Sequence, residues 1–134
     1  MNAIQMYRQT QAQTAPPGEL VLMLYRGAVR FVAAGLAGIE ARDIQSAHTN
    51  LVKAQAVITH LRDTLDVERG GQVAAGLAQL YEYLNRRLME ANIKKDPTPA
   101  REVEGHLREL LGAWEQAVRS MGGAAARPLS GVSA

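Results

Sequence analysis

The stretch that decides the fold is PGELVLMLYRGAVRFVAAGLAGI, which runs from Pro17 to Ile39 and is the most apolar part of the chain. Proline suits the first position of a helix, where its missing N–H is not needed. A helix at the surface of a globular protein carries one apolar stripe. We therefore expect this helix, which has two, to be central in a bundle and to keep apolar surface for a partner. One stripe comprises Leu20, Leu24 and Phe31, and the other comprises Val21, Tyr25, Ala28, Val32, Leu36 and Ile39.

The composition indicates one globular domain without disulfides. A chain of 134 residues is long enough to bury about two-thirds of the surface that it exposes when unfolded. Apolar residues make up 47% and charged residues 21% of the chain, which are ordinary values for a globular protein. The absence of cysteine excludes thiolate metal sites and agrees with a cytoplasmic location. A net charge of +2 is too small to indicate a nucleic-acid partner by itself.

Residues 20–39 are long enough to span a membrane, but their composition argues against insertion. Arg26 and Arg30 lie in the middle of this segment, and each would cost about 2.5–3.5 kcal/mol at the centre of a bilayer. The first 17 residues, MNAIQMYRQTQAQTAPP, are polar and lack the apolar region of a signal peptide. We therefore expect a cytoplasmic protein with no stable membrane insertion.

Apolar spacing and chain-breaking residues predict four helices. The predicted ranges are 17–42, 44–66, 72–95 and 99–121. Asp43 is the expected N-cap of the second helix and Thr98 that of the fourth. Segment 68–71 ends in two glycines and is predicted to separate the second helix from the third.

Four helices with short connections predict an all-α fold, an antiparallel up-down-up-down four-helix bundle over residues 17–122. Residues 1–16 are predicted to form an extended N-terminal arm, because adjacent prolines prevent a helix through the junction. Residues 123–134 are poor in large apolar side chains and are predicted to be a disordered tail. Gly27, Gly35 and Gly38 lie inside the first helix, where each costs about 1 kcal/mol relative to alanine. We therefore expect a neighbouring backbone to approach closely at these glycines.

No residue pattern in the sequence supports catalysis or a cofactor. A di-metal carboxylate bundle needs Glu-x-x-His pairs on inward faces, and none of the three histidines has a glutamate three residues before it. Phosphate-binding glycine loops and nucleophile motifs are absent from the sequence. Basic residues are scattered among acidic ones, so they form no continuous stripe for phosphates. We expect no enzyme activity, no cofactor and no nucleic-acid partner.

What remains is apolar surface beyond the needs of one core, and such surface on a soluble protein marks a partner site. Two interpretations of Tyr25 and Tyr81 stay open: they line this surface, or they fill the core with their hydroxyls at its rim. Two further functions also stay open. A helical adaptor or structural protein would self-associate through the apolar seams of the second and fourth helices. A nucleic-acid-binding bundle would show a steep dependence on salt.

Several segments, in order, resemble the flagellar secretion chaperone family FliS. They are YRQTQ from Tyr7 with TAPPGEL from Thr14, LMLYRGA from Leu22, KAQAVI from Lys53, LYEYL from Leu80 and WEQA from Trp114. The similarity covers about residues 4–120, nearly all of the predicted folded part. The sequence departs from the family pattern at Ala15-Pro16-Pro17, where a small polar cap is expected, and in its tail rich in glycine and alanine.

The resemblance implies a bacterial chaperone of flagellum assembly that uses no nucleotide. It implies that the disordered C-terminal region of flagellin folds into helices along hydrophobic grooves of the bundle. The chaperone then prevents premature polymerisation and delivers flagellin to the flagellar type III export apparatus, and the arm lies in a groove when flagellin is absent. We expect a monomer or weak homodimer. The expected partner-binding residues are Ile4 and Tyr7 in the arm and Leu20, Leu24, Tyr25, Ile58, Leu61, Leu65, Tyr81 and Leu84 in the grooves.

Overall fold

The computed structural model describes residues 17–123, and the side chains of residues 18–120. It contains four helices, which are α1 (Pro17–Glu40), α2 (Ile44–Asp63), α3 (Val67–Lys94) and α4 (Pro97–Gly123). The arm predicted over residues 1–16 lies outside the described residues, and so does the tail predicted over residues 123–134 except for Gly123, which belongs to α4.

The four helices form a ring in which α1 packs against α2 and α4, and α3 packs against α2 and α4. Two ion pairs show that α1 and α4 are antiparallel. Arg26, in the first half of α1, lies 3.2 Å from Glu115, in the second half of α4. Glu40, at the end of α1, lies 3.8 Å from Arg101, near the start of α4. The predicted all-α, up-down-up-down bundle is confirmed.

The bundle has two ends, and they are named here for later use. The turn end carries the α1–α2 connection at residues 41–43 and the α3–α4 connection at residues 95–96. The open end carries the start of α1, the α2–α3 connection at residues 64–66 and the end of α4.

Close contact between α1 and α2 depends on glycine at two positions. A Cβ atom at Gly38 would lie 2.6 Å from the backbone nitrogen of Ala47, and one at Gly35 would lie 2.6 Å from a methyl group of Leu51. The predicted close approach of a neighbouring backbone is confirmed at Gly38, whereas the closest group at Gly35 is the side chain of Leu51. The prediction is wrong at Gly27, where a Cβ would meet no neighbour within 4 Å among the described residues.

Aspartates begin the helices that follow the two connections of the turn end. Asp43 accepts a hydrogen bond from the N–H of Ser46 at 3.1 Å, as predicted. Asp96 accepts one from the N–H of Thr98 at 3.0 Å. The prediction that Thr98 caps α4 is therefore wrong. Helix α4 begins at Pro97, because proline tolerates the first turn and the aspartate before it supplies the acceptor.

The predicted break between the second and third helices is a kink within α3. Asp66 accepts a hydrogen bond from the N–H of Arg69 at 3.1 Å and starts a helical turn. Gly71 then leaves helical geometry with φ 57° and ψ −134°, a backbone conformation that favours glycine. The interruption is confirmed at Gly71, whereas the loop expected just before it is a helical turn.

The core joins all four helices. Its largest fully buried side chains are Tyr25, Val32, Leu51, Ile58, Leu61, Leu84, Leu88, Val103 and Leu107. The apolar seam of α2 from Ala47 to Leu61 is therefore buried within one chain and is not available for self-association. Ile44, the first residue of α2, is 65% exposed.

Helix α1 is the one helix among the described residues that is long and apolar enough to cross a membrane, over Gly18–Glu40. It packs against both α2 and α4, and 44% of the apolar stretch within Gly18–Glu40 is buried in the bundle. Arg26 and Arg30 are exposed. Burial against two helices is the environment of a central core helix, which is the role predicted for this stretch.

Candidate partner-binding surface

The apolar stripe of α3 is buried near the turn end and becomes exposed toward the open end. Leu84 and Leu88 are 0% exposed. Leu77 and Leu80 continue the same stripe and are only partly buried. Val73, one turn nearer the open end, is 75% exposed. Because spacings of three and four keep these side chains on one face, the neighbouring helices cover this face over only part of its length.

Helix α4 shows the same gradient. Val103 and Leu107 are 0% exposed, whereas Leu110 and Trp114, which continue their stripe, are partly buried. No residue of α4 between positions 108 and 120 is fully buried. We name the partly covered residues Val73, Leu77, Leu80, Leu110 and Trp114 the open-end surface.

A polar cluster joins α3 to α4 next to the open-end surface. The hydroxyl of Tyr83 donates to Glu102 at 2.5 Å, and Nε of Arg87 donates to the same carboxylate at 2.7 Å. These hydrogen bonds lower the pKa of Glu102, with Tyr83 the larger cause and Arg87 the next. The cluster therefore holds the second half of α3 against the first turns of α4, on the turn-end side of Leu80.

A second row of partly buried apolar side chains runs along α1 where it faces α2. Phe31 lies on this face, because the ammonium of Lys53 on α2 is 5.7 Å from its ring centroid. Leu24 and Leu20 continue the row toward the open end. Gly27 lies between Leu24 and Phe31 in the chain but is buried, so it is not part of this row. We name Leu20, Leu24, Phe31, Val57 and Leu65, all partly buried, the α1–α2 row.

The two tyrosines predicted at the partner surface are core residues. Tyr25 is 0% and Tyr81 2% exposed, and their hydroxyls form a hydrogen bond to each other. Their ring centroids are 6.4 Å apart. Burial raises the pKa of both hydroxyls. The interpretation that they fill the core is correct, but the hydroxyls lie inside the bundle and not at its rim.

Three further predicted site residues are also fully buried. Ile58 and Leu84 are 0% exposed and Leu61 is 1% exposed, so in this state their side chains stabilise the bundle and do not reach a partner. Helical spacing could not separate them from surface residues, because the same stripe contains both.

The remaining predicted residues divide into two groups. Leu20, Leu24 and Leu65 are partly exposed and belong to the α1–α2 row, so they are in positions that a partner can reach. Ile4 and Tyr7 lie outside the described residues.

The residues of the open-end surface were not among the predicted partner-binding residues. Leu77, Leu80, Leu110 and Trp114 have the helical spacing of a buried face, so their spacing does not mark them as surface residues. A signal was nevertheless present near Val73. Gly70 and Gly71 at the start of α3 indicate a change of chain direction there, which takes the first part of the helix out of regular packing.

The described residues do not form a metal site. No group of three His, Asp or Glu side chains in the described part of the chain is placed to hold an ion. Asn92 hydrogen-bonds His48 at 2.9 Å, and His106 lies 3.5 Å from Glu102. These two histidines take part in contacts between side chains of the bundle surface.

Comparison with known proteins identifies the family. The family model described as "Flagellar protein FliS" matches residues 1–121. The chain belongs to the FliS family. Its members are chaperones of flagellum assembly and not enzymes, in agreement with the resemblance found in the sequence.

FliS relatives of several bacteria match most of the chain. It is 41% identical over 114 residues to the flagellar secretion chaperone FliS of Bacillus subtilis, covering 85% of the chain and 84% of the relative. It is 35% identical over 109 residues to the protein of the same name of Salmonella typhimurium, covering 81% of each. It is 34% identical over 119 residues to the flagellar secretion chaperone FliSB of Pseudomonas aeruginosa, covering 86% of the chain and 94% of the relative.

Proposed function

We propose that this FliS chain is a cytoplasmic export chaperone that binds the disordered C-terminal region of flagellin. By holding that region it prevents premature polymerisation and delivers flagellin to the flagellar type III export apparatus. The names of the relatives support a role in secretion. The observation that carries the proposal is the open-end surface, where Leu77, Leu80, Leu110 and Trp114 continue the core stripes without being fully covered.

Flagellin binds in this proposal as amphipathic helices laid on apolar rows of the bundle. A helix whose apolar residues recur every three or four positions presents a stripe that matches such a row. One flagellin helix would lie on the open-end surface and a second on the α1–α2 row.

Folding on binding gives an affinity suited to a transported cargo. The flagellin segment loses conformational entropy when it becomes helical, and this loss offsets part of the free energy of the contacts. A large surface is then covered at moderate affinity, so the export apparatus can take flagellin from the chaperone.

Calorimetry with a synthetic C-terminal segment of flagellin from the same organism tests the proposal. Burial of apolar surface predicts a negative heat-capacity change on binding. Trp114 is the single tryptophan of the chain and lies on the open-end surface, so its emission should shift to shorter wavelength as the peptide covers it. Absence of binding at tens of micromolar peptide would refute the proposal.

A matched pair of variants locates the binding surface. Leu80→Ala removes a partly exposed side chain from the open-end surface and should weaken peptide binding about tenfold, the equivalent of one to two buried methylene groups. Val52→Ala removes a side chain that is 44% exposed on α2 and should leave binding unchanged. Equal effects of both variants would show that the open-end surface is not where the peptide binds.

The N-terminal arm is part of the same proposal. Ile4 and Tyr7 would lie on one of the apolar rows until flagellin displaces them, which keeps the row covered in the free chaperone. Deletion of residues 1–15 should then tighten peptide binding or increase the binding of a dye that reports apolar surface. If neither quantity changes, the arm does not compete with flagellin.

We further propose that the chaperone acts as a monomer or weak homodimer, since a tight dimer through the apolar rows would leave no surface for flagellin. Sedimentation at micromolar concentration should give the mass of one chain, and addition of the flagellin peptide should not dissociate any larger species. A tight oligomer that excludes the peptide would favour a self-associating structural protein instead.

A further inference from the structure

The turn end contains a cleft that the flagellin proposal does not use. The cleft has a volume of about 290 Å³ and lies between the α1–α2 connection and the end of α3. Ile44, which lines it, is 65% exposed. The apolar members of the lining are small or aliphatic, and its two charged members are both basic. The lining residues are Gly38, Ile39, Arg42, Ile44, Ala47 and Lys95.

Both basic residues of the cleft have a left-handed backbone. Arg42 has φ 57° and Lys95 has φ 51°, and among the described residues no other residue apart from glycine has a positive φ. The two end α1 and α3 in the same way. The N–H of the following aspartate, Asp43 or Asp96, donates to a helix carbonyl five residues earlier. Glycine is the usual residue at this position of a helix end.

The structure of the helix end explains one of these basic residues and not the other. The ammonium of Lys95 donates to the carbonyl and to the side chain of Asn92, both at 2.6 Å, so it helps to complete the last turn of α3. Arg42 is exposed and forms no ion pair with the described residues. The left-handed backbone at Arg42 ends α1, because it lets the N–H of Asp43 donate to the carbonyl of Gly38. The side chain of Arg42, unlike that of Lys95, takes no part in its helix end.

Charge at the turn end also distinguishes Arg42. Asp43 and Asp96 accept hydrogen bonds from backbone N–H groups in the first turns of α2 and α4. Glu40 lies 3.8 Å from Arg101. The carboxylates near the cleft are thus each held by a donor or a cation, and the guanidinium of Arg42 remains available to an anion from outside.

We propose that this cleft docks a segment of a partner protein that presents a branched aliphatic side chain beside a carboxylate. The aliphatic group would pack on Ile39 and Ile44, and the carboxylate would receive a two-point hydrogen bond from Arg42, with Lys95 as a second cation. A volume of about 290 Å³ is at the lower limit for ligand sites and suits one residue of a partner. Because the cleft is at the end opposite the open-end surface, the chaperone can hold flagellin and this partner together.

Nuclear magnetic resonance titration with N-acetyl-L-leucine, a single residue with the proposed side chain and carboxylate, tests the site on the full chain. Saturable shifts are expected for the backbone amides of residues 38–47 and 95, with a dissociation constant in the millimolar range for so few atoms. N-acetyl-L-leucinamide has the same side chain without the carboxylate and should bind about fivefold more weakly. Equal binding of the two compounds, or shifts centred on other residues, would overturn the proposal.

A matched pair of variants tests the role of Arg42. Arg42→Gly removes the guanidinium and keeps the left-handed backbone, because glycine adopts it without strain. It should weaken binding of N-acetyl-L-leucine about fivefold. Arg101→Gln removes a positive charge at the same end but outside the cleft and should leave the affinity unchanged. Equal loss in both variants would show that only the net charge of this end matters, which overturns the site.

A competition experiment separates this proposal from the flagellin proposal. Saturation with the flagellin C-terminal peptide should leave the affinity for N-acetyl-L-leucine unchanged. Displacement of the compound would show that the cleft belongs to the flagellin surface and would overturn its independence. Should the peptide fail to bind at all, the titration with N-acetyl-L-leucine still decides the cleft.

Discussion

The turn end and the open end of the bundle use the same apolar spacing with opposite results. At the turn end, Leu51, Leu88 and Val103 are 0% exposed. Toward the open end, Leu77 and Leu110 occupy equivalent positions in the stripes of α3 and α4 and remain partly exposed. In α3 and α4 the apolar stripe is therefore closed toward the turn end and partly uncovered toward the open end, whereas the seam of α2 stays buried as far as Leu61.

The sizes of the residues between the helices account for much of this difference. Near the turn end, Gly38 meets the backbone of Ala47, and Ala91 is 0% exposed. Small side chains let helices approach closely. Toward the open end, the paired Tyr25 and Tyr81 occupy the interior, and larger side chains hold helices further apart. A bundle can thus keep its stability at one end and a binding surface at the other.

The largest expected effect is the loss of a leucine from the closed core. Leu51→Ala should lower the free energy of unfolding by about 2–5 kcal/mol, because it removes buried methyl groups and leaves a cavity. Leu110→Ala, at a partly exposed position, should cost less than half as much. Urea denaturation measures both. Equal losses would mean that the two ends are packed alike.

Glycine variants test the spacing of the helices. Gly38→Ala would place a Cβ atom 2.6 Å from the backbone nitrogen of Ala47 and should lower the free energy of unfolding by about 1–3 kcal/mol. Gly76→Ala, on α3 near the open end, would meet no atom within 4 Å among the described residues. It should raise that free energy by up to about 1 kcal/mol through helix propensity. A destabilising Gly76→Ala would show that α3 is closely packed there.

The hydrogen-bonded pair of Tyr25 and Tyr81 lies in the interior of the bundle. Tyr25→Phe leaves the hydroxyl of Tyr81 in the core without its partner and should cost about 1–3 kcal/mol of stability. The double variant Tyr25→Phe with Tyr81→Phe removes both hydroxyls and should recover part of this loss. Thermal unfolding of the three proteins measures the coupling. Strictly additive losses would indicate that the two hydroxyls do not interact.

The same pair predicts a dependence of stability on alkaline pH. Burial raises the pKa of both hydroxyls in the folded state. The resulting stability is fully present below the pKa of about 10 in the unfolded chain. It is lost as the pH rises above that value toward the folded pKa, because the unfolded chain then releases protons that the folded chain retains. Between pH 9 and 11 the double phenylalanine variant should lose stability less steeply than the unaltered protein.

The smallest effects on stability are expected at exposed side chains. Variants at these positions test which end of the bundle binds the flagellin peptide. Val73 at the open end is 75% exposed, and Ile93 near the turn end is 76% exposed. Replacement of either by serine should change stability by less than about 0.5 kcal/mol. Val73→Ser should weaken binding of the flagellin peptide, whereas Ile93→Ser should not. The reverse result would move the flagellin site to the turn end.

The number, type and order of the helices could be predicted from the sequence, because each is set by local features. Apolar spacing marks the helices, and Asp43 marks the start of α2. Errors arose where two local signals competed. Thr98 was preferred to Asp96 as the cap of α4, and the helical turn before Gly71 was not expected. A shift of two residues in a capping residue changes no contact of the core, so the bundle was still correct.

Which apolar residues stay exposed could not be predicted in the same way. Tyr25, Ile58, Leu61, Tyr81 and Leu84 were expected to face a partner, and all are buried. Their spacing is the same as that of the partly exposed Leu77 and Leu110. Whether a residue of a stripe is covered depends on how close the next helix lies, and that distance depends on residues elsewhere in the chain.

The sequence alone determined that this protein is a four-helix bundle of the FliS family, because helix periodicity, chain breaks and family motifs are all properties of neighbouring residues. Only the tertiary structure decided which part of each apolar stripe is core and which part remains exposed. It also placed Arg42 and Lys95, which are far apart in the chain, beside one cleft at the turn end. Burial is a property of the packing between helices, and no single helix carries that information.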